Sequence, residues 1–311
     1  MIDWTQPKVS KLVSLHADEQ RFSESKIAEM MTNEFSENFS RDAVHNKITR
    51  LMTTLTEKKE AKILVFDIET APNVVYSWGL FKQNISIDQI VRPAYIICWS
   101  AKWLFSDTVM SACISPKDAK AGNDKQVVKA LWELIDEADI IISHNGDNFD
   151  LPWVNGRFMM YDMLPPSPYQ SIDTLKVTKK MYFTSRKLDW LGFQLVGDSK
   201  IKTSFALWSG CMNGDQESLD NMVVYNRQDV QLLEEVYIKL RPWVKSHPNM
   251  GMYLDTDEKV CANCGGLKLT ELTKPYRATV NIYQTYRCEA CGAVNRVRKG
   301  SKSATLISVA R

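Results

Sequence analysis

The stretch ILVFDIETAP, Ile63–Pro72, decides how the chain is read. Its run of large apolar residues predicts a buried strand, and that strand is interrupted by two acids, Asp67 and Glu69, with one isoleucine between them. Successive side chains of a strand point to opposite faces, so Asp67 and Glu69 share one face while Phe66 and Ile68 share the other. Two adjacent carboxylates near the end of a buried strand repel each other and lose hydration. Something must sit between them, and the candidates are a buried Arg or Lys, a shared proton, or a metal ion.

The flanking sequence alternates strands and helices. AYIICWSAKWLF and TVMSACIS read as antiparallel neighbours of the first strand, KQVVKALWELIDEA (125–138) as a helix, and DIIISHN as a further strand. A long helix is expected from about Glu217 to Leu240. The mixture implies an α/β sheet with helices on its faces, over residues 62–245.

Two more acids fall where such a fold carries chemistry. In SHNGDNFDLPWVNGRF (143–158) an apolar strand ends, a turn with Asn145 and Gly146 follows, and Asp150 stands after Phe149. The position between strand and helix suits an active-site group, with Asp147 as the rival in the same stretch. In VVYNRQDVQLLEEVYIKL, Tyr225 and Asp229 are four residues apart and share one helix face. Val224, Leu232 and Val236 suggest that this side packs inward.

Phe66-Asp67-Ile68-Glu69, Asn145 through Phe149-Asp150, and Tyr225 through Asp229 resemble, in order, the three exonuclease motifs of the DEDD superfamily. The tyrosine marks the subgroup that includes the proofreading domain of family-B DNA polymerases. The resemblance covers roughly residues 62 to 242. It implies a ribonuclease-H-like core that removes 5′-mononucleotides from a 3′ end, with Asp67, Glu69, Asp150 and Asp229 binding two Mg²⁺ or Mn²⁺ ions. It also implies that Tyr225 orients the attacking water. Hard carboxylate ligands fit those ions better than zinc. The polymerase-associated motifs favour DNA over RNA as substrate, although related folds process RNA. Asn145, Phe149 and Arg157 are read either as substrate contacts or as a turn residue, a core aromatic and a solvated arginine. Asp173 is read as a helix cap. The chain as given leaves no room for a polymerase domain, so an exonuclease without one attached is expected.

The two ends differ in character from this core. Residues 1–58 predict three helices: one with Trp4, Leu12 and Leu15, one capped by Ser23, and one after Ser40 with Val44, Ile48, Leu51 and Leu55 at helical spacing. The last helix presents Arg41 and Lys47 on a polar face, which suits either a helix-turn-helix-like DNA contact or a protein-interaction domain. Residues 256–311 carry Cys261-x-x-Cys264 and Cys288-x-x-Cys291, a spacing suited to a Cys₄ zinc ribbon with one structural Zn²⁺. Two disulfides are the alternative, disfavoured in an intracellular protein. From Cys261 onward there are nine Lys or Arg against two acids, and Arg296, Arg298 and Lys299 are candidate nucleic-acid contacts.

At 44% hydrophobic and 24% charged, the composition excludes a disordered chain. No apolar run is long enough to span a membrane, and the N-terminus lacks a signal-peptide core. The expectation is a cytoplasmic protein of a bacterium or phage-infected cell. The three-part arrangement is similar to exonuclease-like proteins encoded by bacteriophages. Replication or repair proteins are candidate partners. Two other readings stand beside the leading one: a nucleic-acid-binding accessory that uses the fold as a scaffold, and a ribonuclease-H-like endonuclease.

Overall fold

The structure is a computed structural model that describes residues 2, 5–17, 22–56, 61–254, 256, 258–298, 307 and 308. Trp4 and Lys299 lie outside them, as do the side chains of Leu51, Leu55 and Arg298. Contacts divide the chain into two units, residues 1–60 with 253–256, and the remainder.

The first unit holds α1 (Gln6–Ala17), α2 (Glu24–Phe35) and α3 (Arg41–Thr56). Ser23 caps α2 by accepting from the Lys26 amide, and Ser40 accepts from Ala43 at the start of α3. Leu12, Leu15, Ile27, Met31, Phe39, Val44 and Ile48 form its core. On the polar face of α3, Arg41 and His45 both reach Glu24 of α2, at 3.5 and 2.8 Å.

The second unit is built on β1 (Ile63–Thr70), followed by the short β2 (Val74–Val75) and β3 (Ile90–Arg92), then β4 (Ile96–Trp103) and β5 (Met110–Cys113). Helices α4 (Pro116–Ala121) and α5 (Lys125–Glu137) lead to β6 (Ile140–Ser143), α6 (Asp150–Met160) and β7 (Gln170–Asp173). The core ends with α7 (Thr174–Thr178), α8 (Leu188–Leu195), α9 (Phe205–Met212) and α10 (Gln216–Leu240). The main sheet has the order β5-β4-β1-β6-β7. β4 runs antiparallel to β1, whereas β6 and β7 run parallel to it. TVMSACIS is therefore not a neighbour of β1. The connection between β4 and β5 is short enough for a hairpin, so β5 pairs with β4, while the crossover through α4 and α5 returns the chain parallel to β1.

Helix α10 packs across β1 and β4. Its Glu234 takes Lys102 of β4 in a buried ion pair and also the Phe105 amide at 2.8 Å, which fixes the helix against the strand end. On the other face, Leu64, Phe66 and Ile68 join the core with Leu131 and Ile135 of α5. The alternation of β1 thus leaves Asp67 and Glu69 on the α10 side.

β8 (Leu269–Arg277), β9 (Ile282–Cys288), β10 (Val294–Arg298) and β11 (Ile307–Ser308) form a second sheet, in the order β11-β10-β9-β8. It is anchored to the end of α10 by a reciprocal pair: Arg241 Nε donates to the Asn263 carbonyl at 2.7 Å, and Asn263 Nδ2 donates to the Arg241 carbonyl at 2.8 Å. Among the described residues, no helix is long and apolar enough to cross a membrane.

Candidate active site

The register of the sheet brings the ends of β1 and β6 together. Val65 pairs with Ile142, so the residues just after β6 lie beside Asp67. The chain turns there through Asn145, whose φ of 67° is left-handed. At Gly146 a Cβ would stand 2.0 Å from Ser143 Oγ, so only glycine lets the turn close. The turn delivers Asp150 to the first position of α6, and one of its oxygens accepts the Ile68 amide at 3.1 Å. Asp150 is thereby tied to the residue between Asp67 and Glu69.

α10 supplies the rest. Carboxylate oxygens of Asp67, Glu69 and Asp229 lie within 4.8 Å of one another. Asn226, one residue after Tyr225, donates to Asp67 Oδ2 at 2.7 Å. Tyr225 packs edge-on against Trp208, and its hydroxyl receives Lys200 Nζ at 3.3 Å. Lys200 also bonds to Asp229 Oδ2, while Asp229 Oδ1 is buried with no hydrogen-bond partner.

Neither Lys200 nor Asn226 carries a signal of this role in the sequence. Lys200 comes from the irregular segment between α8 and α9, whose position is set by Gln228: its side chain accepts from Ile201 N at 2.9 Å and donates to Ser199 O at 3.0 Å. The Lys200 amide is held by Asp189 at 2.8 Å. The carboxylates therefore have one cationic partner among the described residues, the Lys200 ammonium. One positive charge does not balance four carboxylates.

The imbalance shows in the acidities. Burial, with Asp150, Glu69 and Asp229 nearby, holds Asp67 well above the usual carboxylate range. Burial and the Asp229 charge push Glu69 up to about 8. Burial, partly offset by the amides that Asp150 accepts, leaves that group at about 7. Asp229 is raised by burial against the pull of Lys200. Burial works against the Lys200 ammonium, but Asp229 and Asp67 outweigh it and keep the proton on. A buried oxygen without a partner and a cluster that holds protons for want of positive charge are what a hard divalent cation would satisfy, so the residues fit such ions.

Other residues take different places. Asp173 caps α7 by accepting from Leu175 and also takes the Asn145 amide at 2.9 Å. Asn145 uses its own side-chain oxygen on Asn148, as a turn residue does. Phe149 is 38% exposed beside Asp150, against Trp153. Arg157 is neither solvated nor free for substrate: it forms a buried ion pair with Asp124 and donates to Tyr161. Val224 is exposed, because it precedes the inward face of α10 by one residue, about 100° of turn.

In the small sheet, Cys261, Cys264, Cys288 and Cys291 bring their sulfurs within 4.8 Å of one another. Each pair closes a tight knuckle, with Gly265 N donating to Cys261 O and Gly292 N to Cys288 O, both glycines at positive φ. Gly266 N and Asn295 Nδ2 each point at a cysteine sulfur at 3.4 Å. The cluster is compatible with a zinc ribbon, since four converging sulfurs supported by N–H donors suit a tetrahedral thiolate site. Arg296 does not project freely toward a ligand. Its guanidinium packs over the adjoining rings of Tyr276 and Tyr283, 4.6 and 4.7 Å from their centres.

Residues 105–241 match the family described as the RNase_H superfamily. The match takes in Asp150, Tyr225 and Asp229 and begins after β1. Over 173 residues the chain is 26% identical to a DNA polymerase of Orgyia pseudotsugata multicapsid polyhedrosis virus, an alignment that covers 45% of this chain and 17% of the polymerase. The chain thus spans only a small part of the length of that relative. Among solved structures, the family B DNA polymerase of Pyrobaculum calidifontis aligns at 15% identity with a TM-score of 0.44, over 59% of this chain and 25% of that one. The core is a ribonuclease-H-like α/β fold with a mixed sheet.

Proposed function

We propose that the protein is a divalent-metal-dependent 3′–5′ exonuclease that trims DNA to 5′-mononucleotides. The observation that carries this reading is the convergence of Asp67, Glu69 and Asp229 on one point, with Asp150 tied to Ile68 and the Tyr225 hydroxyl at the rim. Asp67, Glu69, Asp150 and Asp229 would hold two Mg²⁺ or Mn²⁺ ions. Such ions, when bound, would supply Lewis acidity toward the scissile phosphate and make a bound water more acidic.

The chain's own groups account for orientation. Asn226 fixes one oxygen of Asp67, and the Ile68 amide fixes Asp150, so the carboxylates are held before substrate arrives. The Tyr225 hydroxyl, pushed up to about 12 by burial and the Asp229 charge, keeps its proton and can donate to the attacking water. Glu69 can accept from that water once it is ionised. Lys200 brings a positive charge to the place where charge develops on the phosphoryl oxygens.

The test uses 5′-labelled oligonucleotides, as DNA and RNA, incubated with Mg²⁺, Mn²⁺ or EDTA. Wild-type protein should give a ladder of DNA shortened from the 3′ end. EDTA and Asp229→Ala should each abolish it, the substitution by about a thousandfold or more. Intact DNA in both wild type and variant, with binding retained, would instead support an accessory protein.

A further inference from the structure

Two cavities on the second unit lie outside the carboxylate site and share one wall. The larger, about 950 Å³, is bounded by the ribbon strands and the turn after α10. Lys274, Arg277 and Arg287 line it, and no carboxylate does. The smaller, about 360 Å³, lies where α7 meets the same turn and is lined by Lys176, Lys180 and Lys245. Trp243 belongs to both, and its indole is 59% exposed.

Apart from Lys176, the cations along this path have no carboxylate partner among the described residues. In the smaller cavity Asp147 is spent on Lys176, at 2.7 Å, and Asp173 on backbone amides. Among the described residues, no carboxylate pairs with Lys180, Lys245, Lys274 or Arg277. The path also adjoins the carboxylate site, because Asp173, in its wall, holds the Asn145 amide in the turn that leads to Asp150. A row of cations with an exposed indole between them matches a flexible polyanion that carries planar apolar groups. A duplex keeps its bases inside and cannot offer them to an indole, and an acidic peptide offers a stacking group only where an aromatic residue falls, whereas every base of a single strand has a stacking face.

We propose that this groove, from Lys180 and Lys245 past Trp243 to Lys274 and Arg277, holds single-stranded DNA, namely the part of the substrate strand 5′ to the end being trimmed. The proposal rests on the exonuclease reading for the identity of the strand. The ribbon then acts as a tether, contributing the face formed by β8 and β9 rather than Arg296.

Equilibrium binding separates this from catalysis. Zinc-loaded full-length protein is titrated with 5′-fluorescein oligothymidylates of about 4 and about 20 nucleotides, with Ca²⁺ in place of Mg²⁺. The longer strand should bind at least about tenfold tighter, and Trp243→Ala should remove most of that gain while changing the affinity of the short strand less than about twofold. The double change Lys274→Ala/Arg277→Ala should flatten the dependence of log affinity on log salt by about 1.4, from 0.7 per lost phosphate contact. Zinc content checks the fold of these variants, and Lys180→Ala/Lys245→Ala, on the core side, repeats the test should the ribbon variants lose zinc. Equal binding of both lengths, equal weakening of both by the substitutions, or equal affinity for an RNA strand would overturn the proposal. A protein that binds as expected yet cuts nothing would sink the exonuclease reading alone.

Discussion

Lys200 bonds to one oxygen of Asp229, and the other oxygen of that carboxylate is buried with no partner. The ammonium thus occupies part of the space where a cation would bind, and the two compete for the same charge. At an effective dielectric near 20, charges about 4 Å apart interact by about 4 kcal/mol, so the competition is appreciable. Lys200→Met should therefore tighten Mn²⁺ binding to EDTA-stripped protein by about tenfold in calorimetry. It should also slow cleavage, because a charge near the phosphate is lost. Weaker Mn²⁺ binding by the variant would mean that Lys200 holds Asp229 in place for the ion.

Asn226 stands in a different relation to the cluster. It donates to Asp67 at 2.7 Å from a fully buried side chain, and its own oxygen is buried without a partner. Its role is to position Asp67. Asn226→Ala should lower the affinity for Mn²⁺ by about 10- to 100-fold and lower activity at limiting metal, with much of the activity recovered at saturating metal. A loss of activity that no metal concentration restores would contradict the positioning role.

The raised acidities set a pH dependence for the metal-free protein. Glu69 near 8 and Asp150 near 7 both stand above their unfolded values, so between about pH 4.5 and 8 the native state binds more protons than the unfolded one. Stability then falls as pH rises through that window. In EDTA the melting temperature should drop by about 5 °C or more from pH 5 to pH 8.5. Mg²⁺ or Mn²⁺ should remove most of the drop, because cation binding favours the ionised carboxylates. A melting temperature in EDTA that is flat or rising over this range would contradict the account of the cluster.

How much of this the sequence disclosed depends on the range of the interaction. The pairing of Asp67 with Glu69 is legible because a strand repeats every two residues, and that of Tyr225 with Asp229 because a helix brings i and i+4 together. Asp173 is legible as a cap, since its partners are the next few amides. Arg157 looks solvated or free for substrate in the sequence because its carboxylate, Asp124, is 33 residues away. Lys200 was invisible for the same reason: an irregular segment carries it, and only Gln228 of α10 fixes that segment. Arg296 looks like a ligand contact in a basic tail until strand register packs it over two tyrosines. Periodicity reports which residues share a face, and it is silent on what the opposing element brings.

The ribbon offers a separate check. Its four cysteines and few core residues suggest that metal supplies much of its stability. Full-length protein should carry one zinc per chain by mass spectrometry under native conditions. Cys288→Ser should lose that zinc and weaken the binding of long DNA strands by about tenfold. Two disulfides, detected as only three of the seven cysteines titrating as free thiols in denatured, zinc-stripped protein without reductant, would overturn the zinc assignment.

The central claim is that this constellation removes single nucleotides from a 3′ end. The most direct measurement follows the first product from linear DNA labelled at its 3′-terminal nucleotide, beside a closed single-stranded circle, both with Mn²⁺. The account predicts that the label appears first as a 5′-mononucleotide and that the circle stays intact. Labelled oligonucleotides as the earliest product, or a linearised circle, would contradict it.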